Sequence, residues 1–338
     1  MTITQRPPLE RGEDTLLAML TYRRPAFGPT EGAFIERFLW PLPGIQQDTF
    51  GNLWLTISND DGSACPILWS SHTDSVHRLE GRQELEVCPK TRQVTVADPG
   101  KASKGHSNCL GADCAAGVWI MREMILAGVP GTYVFHRDEE RGGGGSNWVL
   151  SNHPDWLTPF KFAIAFDRKG YGDVITHQGG RTASDAFARS VASILGGAYR
   201  PDPTGLFTDT AIYSGVIPEC SNLSVGYFGQ HGPAEMQDVP FLLALRDTVV
   251  TADWSRLVCE RDPSAPDPED DPWRGLDLLR DSRWDDDITD LGWTPPHGVA
   301  GSIHRFVADN PDVVADFLET NGITRDDLEA HAGGCTFQ

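Results

Sequence analysis

The sequence predicts an α/β protein: a three-layer α/β/α sandwich around a mixed, largely parallel sheet, followed by a small C-terminal helical extension. Two observations carry this. From about Asp113 onward, short apolar runs of strand length alternate with helical patterns, as crossovers between parallel strands require. The runs GTYVFH and FKFAIAFD are also apolar at nearly every position, as strands covered on both faces must be.

In order, helical patterns cover about Asp14 to Thr21 and about Thr30 to Leu39. GNLWLTIS and CPILWSSH read as two strands joined by a short turn at NDDG. ELEVCPKTRQVTVADPG reads as a further hairpin. CAAGVWIMREMILAG is an apolar helix, GTYVFH a buried strand, and SNWVLSN the start of another helix. FKFAIAFD is again a buried strand and ASDAFARSVASILGG a helix. SNLSVGYF is the next strand, and EMQDVPFLLALRDTVVTADWSRL a long final helix. After Leu257 the texture becomes rich in Pro and Asp. We therefore divide the chain into a main α/β domain over 1–260, an acidic linker rich in Pro, Asp and Trp over 261–298, and a small helical extension over 299–338, either packed on the first domain or serving a partner.

Composition narrows the function. The 338 residues carry 28 Lys+Arg against 48 Asp+Glu, a net charge of −20, which repels phosphate backbones and anionic headgroups. No nucleic acid or membrane partner is expected. Seven cysteines form no CxxC pair and leave an odd one over, so they read as free thiols in a reducing compartment. No run approaches the ~18 apolar residues of a membrane span, and a cytoplasmic location follows as the expectation.

Against that background, acidic and histidine residues stand at five places: His72 with Asp74 in HTD, Asp113 in GADC, Glu139-Glu140 in DEERGGGGS, Asp167 in FAIAFD and His231 in FGQHGP. Four of the five follow the carboxyl ends of expected strands, where open α/β sheets place their ligand crevices. Two neighbouring zinc ions would take imidazole and carboxylate ligands of this kind, one carboxylate bridging both. His72 and Asp74 share a side of an extended strand end, so Asp74 can hold the second ring nitrogen of a metal-bound His72. Each place also has a plainer account. Asp113 could cap its helix, the glutamates could be a charged loop, and Asp167 could pair with Arg168 or Lys169. Of two adjacent glutamates, one can hold metal while the other handles the proton of a bound water. His77, His106, His136, His153 and His177 lack such context and read as structural or solvated.

These motifs, in this order, resemble the co-catalytic di-zinc exopeptidase clan of aminopeptidases and carboxypeptidases, which carry HxD, GADD, EExG, a strand-end Asp and a late His. The resemblance runs from about Asp48 to His231 and through the following helix. The short interval from Asp167 to His231 leaves no room for a lid domain, so the chain resembles the compact aminopeptidase-like branch. The resemblance implies two divalent metal ions, with zinc the expected pair. One would be held by His72, Asp113 and Asp167, the other by Asp113, Glu140 and His231. It further implies Glu139 as general base, Asp74 as the residue orienting His72, and a cis Asp113–Cys114 bond with the Cys114 thiol turned away from both ions. Cys114 itself departs from the pattern, standing where the clan carries a second Asp. The function expected is hydrolysis of a peptide bond in a small peptide. The alternatives are a deacylase acting on an N-acyl amino acid, and an inactive metal-binding protein working through partners. A homo-oligomer, or a partner bound through the extension, is also allowed for.

Overall fold

Four strands buried along almost their whole length form the centre of the molecule: Ile67–His72, Gly131–His136, Phe162–Arg168 and Glu219–Ser224. Alternation along each strand sends its side chains to two different cores. Ile67, Trp69, Tyr133, Phe135, Phe162, Ile164 and Phe166 join the larger core. Leu68, Val134, Ala163 and Cys220 join a smaller one on the opposite face. This two-sided burial explains why these segments read as continuous apolar runs.

The computed structural model describes residues 10–97 and 107–265. The expected extension at 299–338, nearly all of the linker, His106 and Cys335 lie outside these residues. In chain order the elements are α1 Glu13–Leu20, α2 Pro29–Phe38, β1 Gln46–Gln47, β2 Leu53–Ile57, β3 Ile67–His72, β4 Leu85–Val87, β5 Gln93–Val96, α3 Ala112–Ala127 and β6 Gly131–His136. They continue with α4 Gly144–Asn152, α5 Pro154–Leu157, β7 Phe162–Arg168, β8 Asp173–Ile175, α6 Asp185–Ile194, β9 Arg200–Asp202, α7 Asp209–Ile212, β10 Glu219–Ser224, β11 Tyr227–Phe228, β12 Met236–Asp238 and α8 Val239–Val249.

An eight-stranded sheet runs β1-β2-β6-β3-β7-β10-β8-β9. Its central β6, β3, β7 and β10 are mutually parallel, while β2 and β8 attach antiparallel on either side. The mixed, largely parallel sheet and the helices on both sides are therefore as the sequence predicts. α3 is apolar around its circumference and is buried from Ala112 to Ile125, as a helix without a polar face must be. Gly117 on α3 permits its approach to the sheet, because a Cβ there would lie 2.1 Å from the Phe166 carbonyl oxygen.

Three expectations need correction. β2 and β3 do not pair with each other. The turn between them exists, with Gly62 N–H bonded to Asn59 O at 2.8 Å, but β6 inserts between the two strands. A local turn signal cannot exclude a strand that arrives later in the chain. The final helix is also shorter than its apolar pattern suggests. Asp238 caps it by accepting the Phe241 N–H at 3.0 Å, so Met236–Asp238 is free to pair with β5 in a second, four-stranded sheet. Finally, SNLSVGYF is split between β10 and β11, which belong to different sheets. The hairpin of β4 and β5 does form. Among the described residues, no helix is long and apolar enough to cross a membrane.

Candidate metal centre

Parallel strands aligned in register deliver their ends to one place. β3 pairs with β6 so that His72 stands opposite His136, and Glu139-Glu140 follow directly. Asp167 lies near the end of the neighbouring β7, and Asp113 opens α3 above β3 and β7. His231 comes from the loop between β11 and β12, with φ 64, a left-handed value that histidine tolerates better than bulky residues do.

All five expected ligand positions converge. His72 Nε2 lies 3.0 Å from one oxygen of Asp113 and 3.3 Å from Asp167 Oδ1. His231 Nε2 lies 3.2 Å from the other oxygen of Asp113 and 3.1 Å from Glu140 Oε2. The Asp113 carboxylate thus faces one histidine with each oxygen. Glu139 Oε2 stands 3.7 Å from His72 Nε2. Asp74 approaches the far ring nitrogen of His72 at 3.4 Å, an ionic contact rather than a directed hydrogen bond. It also accepts the backbone N–H groups of Glu139 and Glu140, each at 3.2 Å, and so fixes two motifs at once.

Packing these acids together out of water has an electrostatic cost, which shifts their proton affinities. Burial lifts the Glu139 carboxyl well above the usual range, with Asp167, Asp209 and Glu140 adding to it against His72. Burial and the Asp113 charge raise Asp167 to about 7. Burial works against charge on His231 too, but its bonds to Asp113 and Glu140 prevail and raise it to about 11. His72 is likewise raised, its acidic neighbours outweighing burial. Asp113, between two imidazoles, is lowered despite its burial.

The residues fit divalent metal. Glu140 Oε1 and Asp167 Oδ1 are buried without a hydrogen-bond partner, which is costly for a carboxylate unless a cation meets it. Two imidazoles with three carboxylates are the donor types zinc accepts. His72 with Asp113 and Glu140, and His72 with Cys114 and Asp167, each bring ligand atoms within 4.8 Å of one another. The plainer account of Asp167 fails for Arg168, whose guanidinium instead meets Asp173 at 3.3 Å and Thr204.

The Asp113–Cys114 bond is cis, as the resemblance implies. The Cys114 thiol donates to the Phe166 carbonyl at 3.3 Å, and its sulfur lies within 4.8 Å of ligand atoms of His72 and Asp167. The small Cys side chain lies under α3 where it crosses β7, and that contact sets its direction.

Several supporting residues escape sequence reasoning. Glu235, fully buried, accepts the N–H groups of Leu110, Gly111 and Asp113 at 2.8, 2.9 and 3.1 Å. Burial and Asp113 raise its pKa to about 7 against those three bonds. Arg24 ties the Thr73 carbonyl to that of Gly111. Thr208 donates to Asp167 Oδ2 at 2.8 Å. His136, held between Asp209 and Tyr213, anchors the adjoining loop and is structural, as expected. The only signal available in sequence for Glu235 was its place four residues after His231, in a short loop.

The cluster opens into a cavity of about 310 Å³, lined in part by Arg168, Lys169, Gln178, Leu206, Phe207 and Asn222. The fold of this chain is one shared with solved peptidase structures. Solved structures sharing it include the aminopeptidase PepT from Bacillus cereus ATCC 10987, at a TM-score of 0.55 and 14% identity, covering 70% of this chain and 95% of that one. A tripeptidase from Staphylococcus aureus subsp. aureus mu50 superposes at a TM-score of 0.57 and 15% identity, over 70% and 95% of the two chains. The TET1 peptidase of Pyrococcus horikoshii does so at 0.50 and 18%, over 70% and 98%. No protein-family model and no curated protein sequence matches the chain.

Proposed function

We propose that this protein is a two-metal hydrolase of amide bonds, acting as an aminopeptidase-like exopeptidase on small peptides. The observation that carries this reading is the Asp113 carboxylate, whose two oxygens face His72 and His231 separately, each with a further carboxylate beside it. His72, Asp113 and Asp167 would hold one ion, and Asp113, Glu140 and His231 the other. When bound, the pair would polarise a substrate carbonyl and lower the pKa of a water.

The chain's own residues supply the rest. Glu139 is no part of either ligand set, yet its Oε2 stands 3.7 Å from His72 Nε2. It would take the proton of the attacking water at Oε2 and return it to the leaving nitrogen. Asp74 would hold the His72 ring and, through two backbone N–H bonds, set the position of Glu139 relative to Glu140. The peptidase names of the structural neighbours agree with this reading. That the Pyrococcus peptidase assembles into a tetrahedron or a large octahedral shell accords with a homo-oligomer here.

The experiment is a separation of binding from turnover. Protein equilibrated with zinc should carry close to two ions per chain and hydrolyse peptides. Glu139→Gln should keep both ions while losing roughly 10²–10⁴-fold in kcat. Failure to retain any metal, or full activity in Glu139→Gln, would sink the proposal.

A further inference from the structure

A second cavity, of about 300 Å³, shares no lining residue with the one at the metal centre. It lies on the face of the sheet that carries the smaller core, to which its Val134 and Val149 belong. Trp54 of β2 and Trp156 of α5 line it as well, both half-buried, with ring centroids 5.8 Å apart and planes at 65°. Apolar surface thus reaches this cavity from β2, β6, α4 and α5. The volume is at the small end of ligand sites and suits one ring on a short stem.

The charges around the cavity are of one sign. Its lining includes one carboxylate, Asp48, one imidazole, His153, and no Lys or Arg. Asp48 Oδ1 accepts the Gly51 and Asn52 N–H groups at 2.8 and 2.9 Å, and Oδ2 accepts the Asn52 amide at 2.8 Å. A carboxylate has about four acceptor directions, so one is left, on Oδ2. The Arg137 guanidinium approaches this turn, where a Cβ on Gly51 would lie 3.0 Å from it, but Glu31 pairs with it at 3.1 Å. Its charge is therefore balanced, and that of Asp48 is not. A full charge acts across several ångströms of a half-buried site, so contact with it is not required. Indole rings attract cations in the same sense, and the net charge of −20 adds to it.

The geometry points to this cavity as a second binding site, for a small aromatic amine. The ring would lie against Trp54, Trp156 and the two valines, with its ammonium toward Asp48. Nothing in this depends on the peptidase reading.

The test titrates the full chain, equilibrated with zinc, by calorimetry at about pH 8, above the ordinary titration of imidazole. The probes are phenethylamine, phenethyl alcohol and hydrocinnamate, which share a ring and stem and differ in charge. The amine should bind with a Kd of about 1 mM or tighter, and about tenfold or more tighter than either of the others. Asp48→Asn should bring amine and alcohol to within about twofold of each other. Trp156→Ala should weaken the amine by about tenfold or more. An amine bound no better than the alcohol overturns the inference without any variant. A preference that survives Asp48→Asn overturns it too. Amine binding untouched by Trp156→Ala places the amine elsewhere, as at the acidic metal centre, and likewise overturns it; that variant decides alone if Asp48→Asn does not fold.

Discussion

Replacing Glu235 by Gln changes one atom type in a fully buried position, and its effect can be worked out from three bonds. Oε2 accepts from Leu110 and Gly111, and Oε1 accepts from Asp113. An amide offers a single oxygen. It would keep the two shorter bonds and turn an NH₂ group toward the Asp113 N–H, donor against donor. Loss of a hydrogen bond to a charged group costs about 1.5–3 kcal/mol, and removing a buried charge offsets part of that. We expect a net destabilisation of about 1–3 kcal/mol, seen as a lower midpoint in urea at unchanged slope. The Asp113 backbone is the group released, so zinc affinity should fall in the same variant, measured by competition with a chromophoric chelator. Glu235→Ala leaves three buried N–H groups unpaired and should cost more on both counts. Wild-type stability together with wild-type zinc affinity in Glu235→Gln would show that this carboxylate does not position Asp113.

Two further outcomes are expected. Glu140→Gln, unlike Glu139→Gln, should lower metal content toward one ion per chain, read by elemental analysis after dialysis; full retention would exchange the roles given to the two glutamates. His77 provides a pH dependence away from the cluster. Its Nδ1 accepts the Arg24 N–H at 3.2 Å, and burial together with the Arg24 charge lowers its pKa to about 3. The unfolded chain then binds a proton that the folded one refuses. Stability from this residue is complete above about pH 6.5 and is lost as pH falls toward 3, by up to about 4 kcal/mol. His77→Gln should flatten that part of the stability profile, and an unchanged profile would count against the assignment.

Much of the architecture was legible because its central strands are covered on both faces and therefore carry an unbroken apolar signature. The candidate ligands were legible for a related reason. A carboxylate or histidine closing an apolar run, as Asp167 and His72 do, stands out against residues that must be buried. What could not be read is what depends on chain closure. Nothing near Glu235 indicates that Leu110 and Gly111 will lie against it. β8 and β9 are three residues each, and β9 contains Pro201, so neither presents a pattern of its own. The insertion of β6 between β2 and β3 is a pairing choice made by the whole sheet, which the NDDG turn does not encode. The apolar pattern ending in α8 hid β12 because Met236 and Gln237 fit a helix as readily as a strand.

The proposed ligands span the chain from His72 to His231, and Glu235 lies further still. A ribosome releasing this protein therefore exposes four of the five ligand positions well before the fifth. The half-site containing His72, Asp113 and Asp167 can assemble on β3, α3 and β7 as soon as the parallel core forms. The other half waits for the β11–β12 loop and for Glu235 to fasten the backbone before Asp113. If the chain binds two ions as proposed, their acquisition would have an order written into the connectivity: the first would report a folded sheet and the second a finished domain, and metal-release kinetics during stepwise unfolding should then show two separate events.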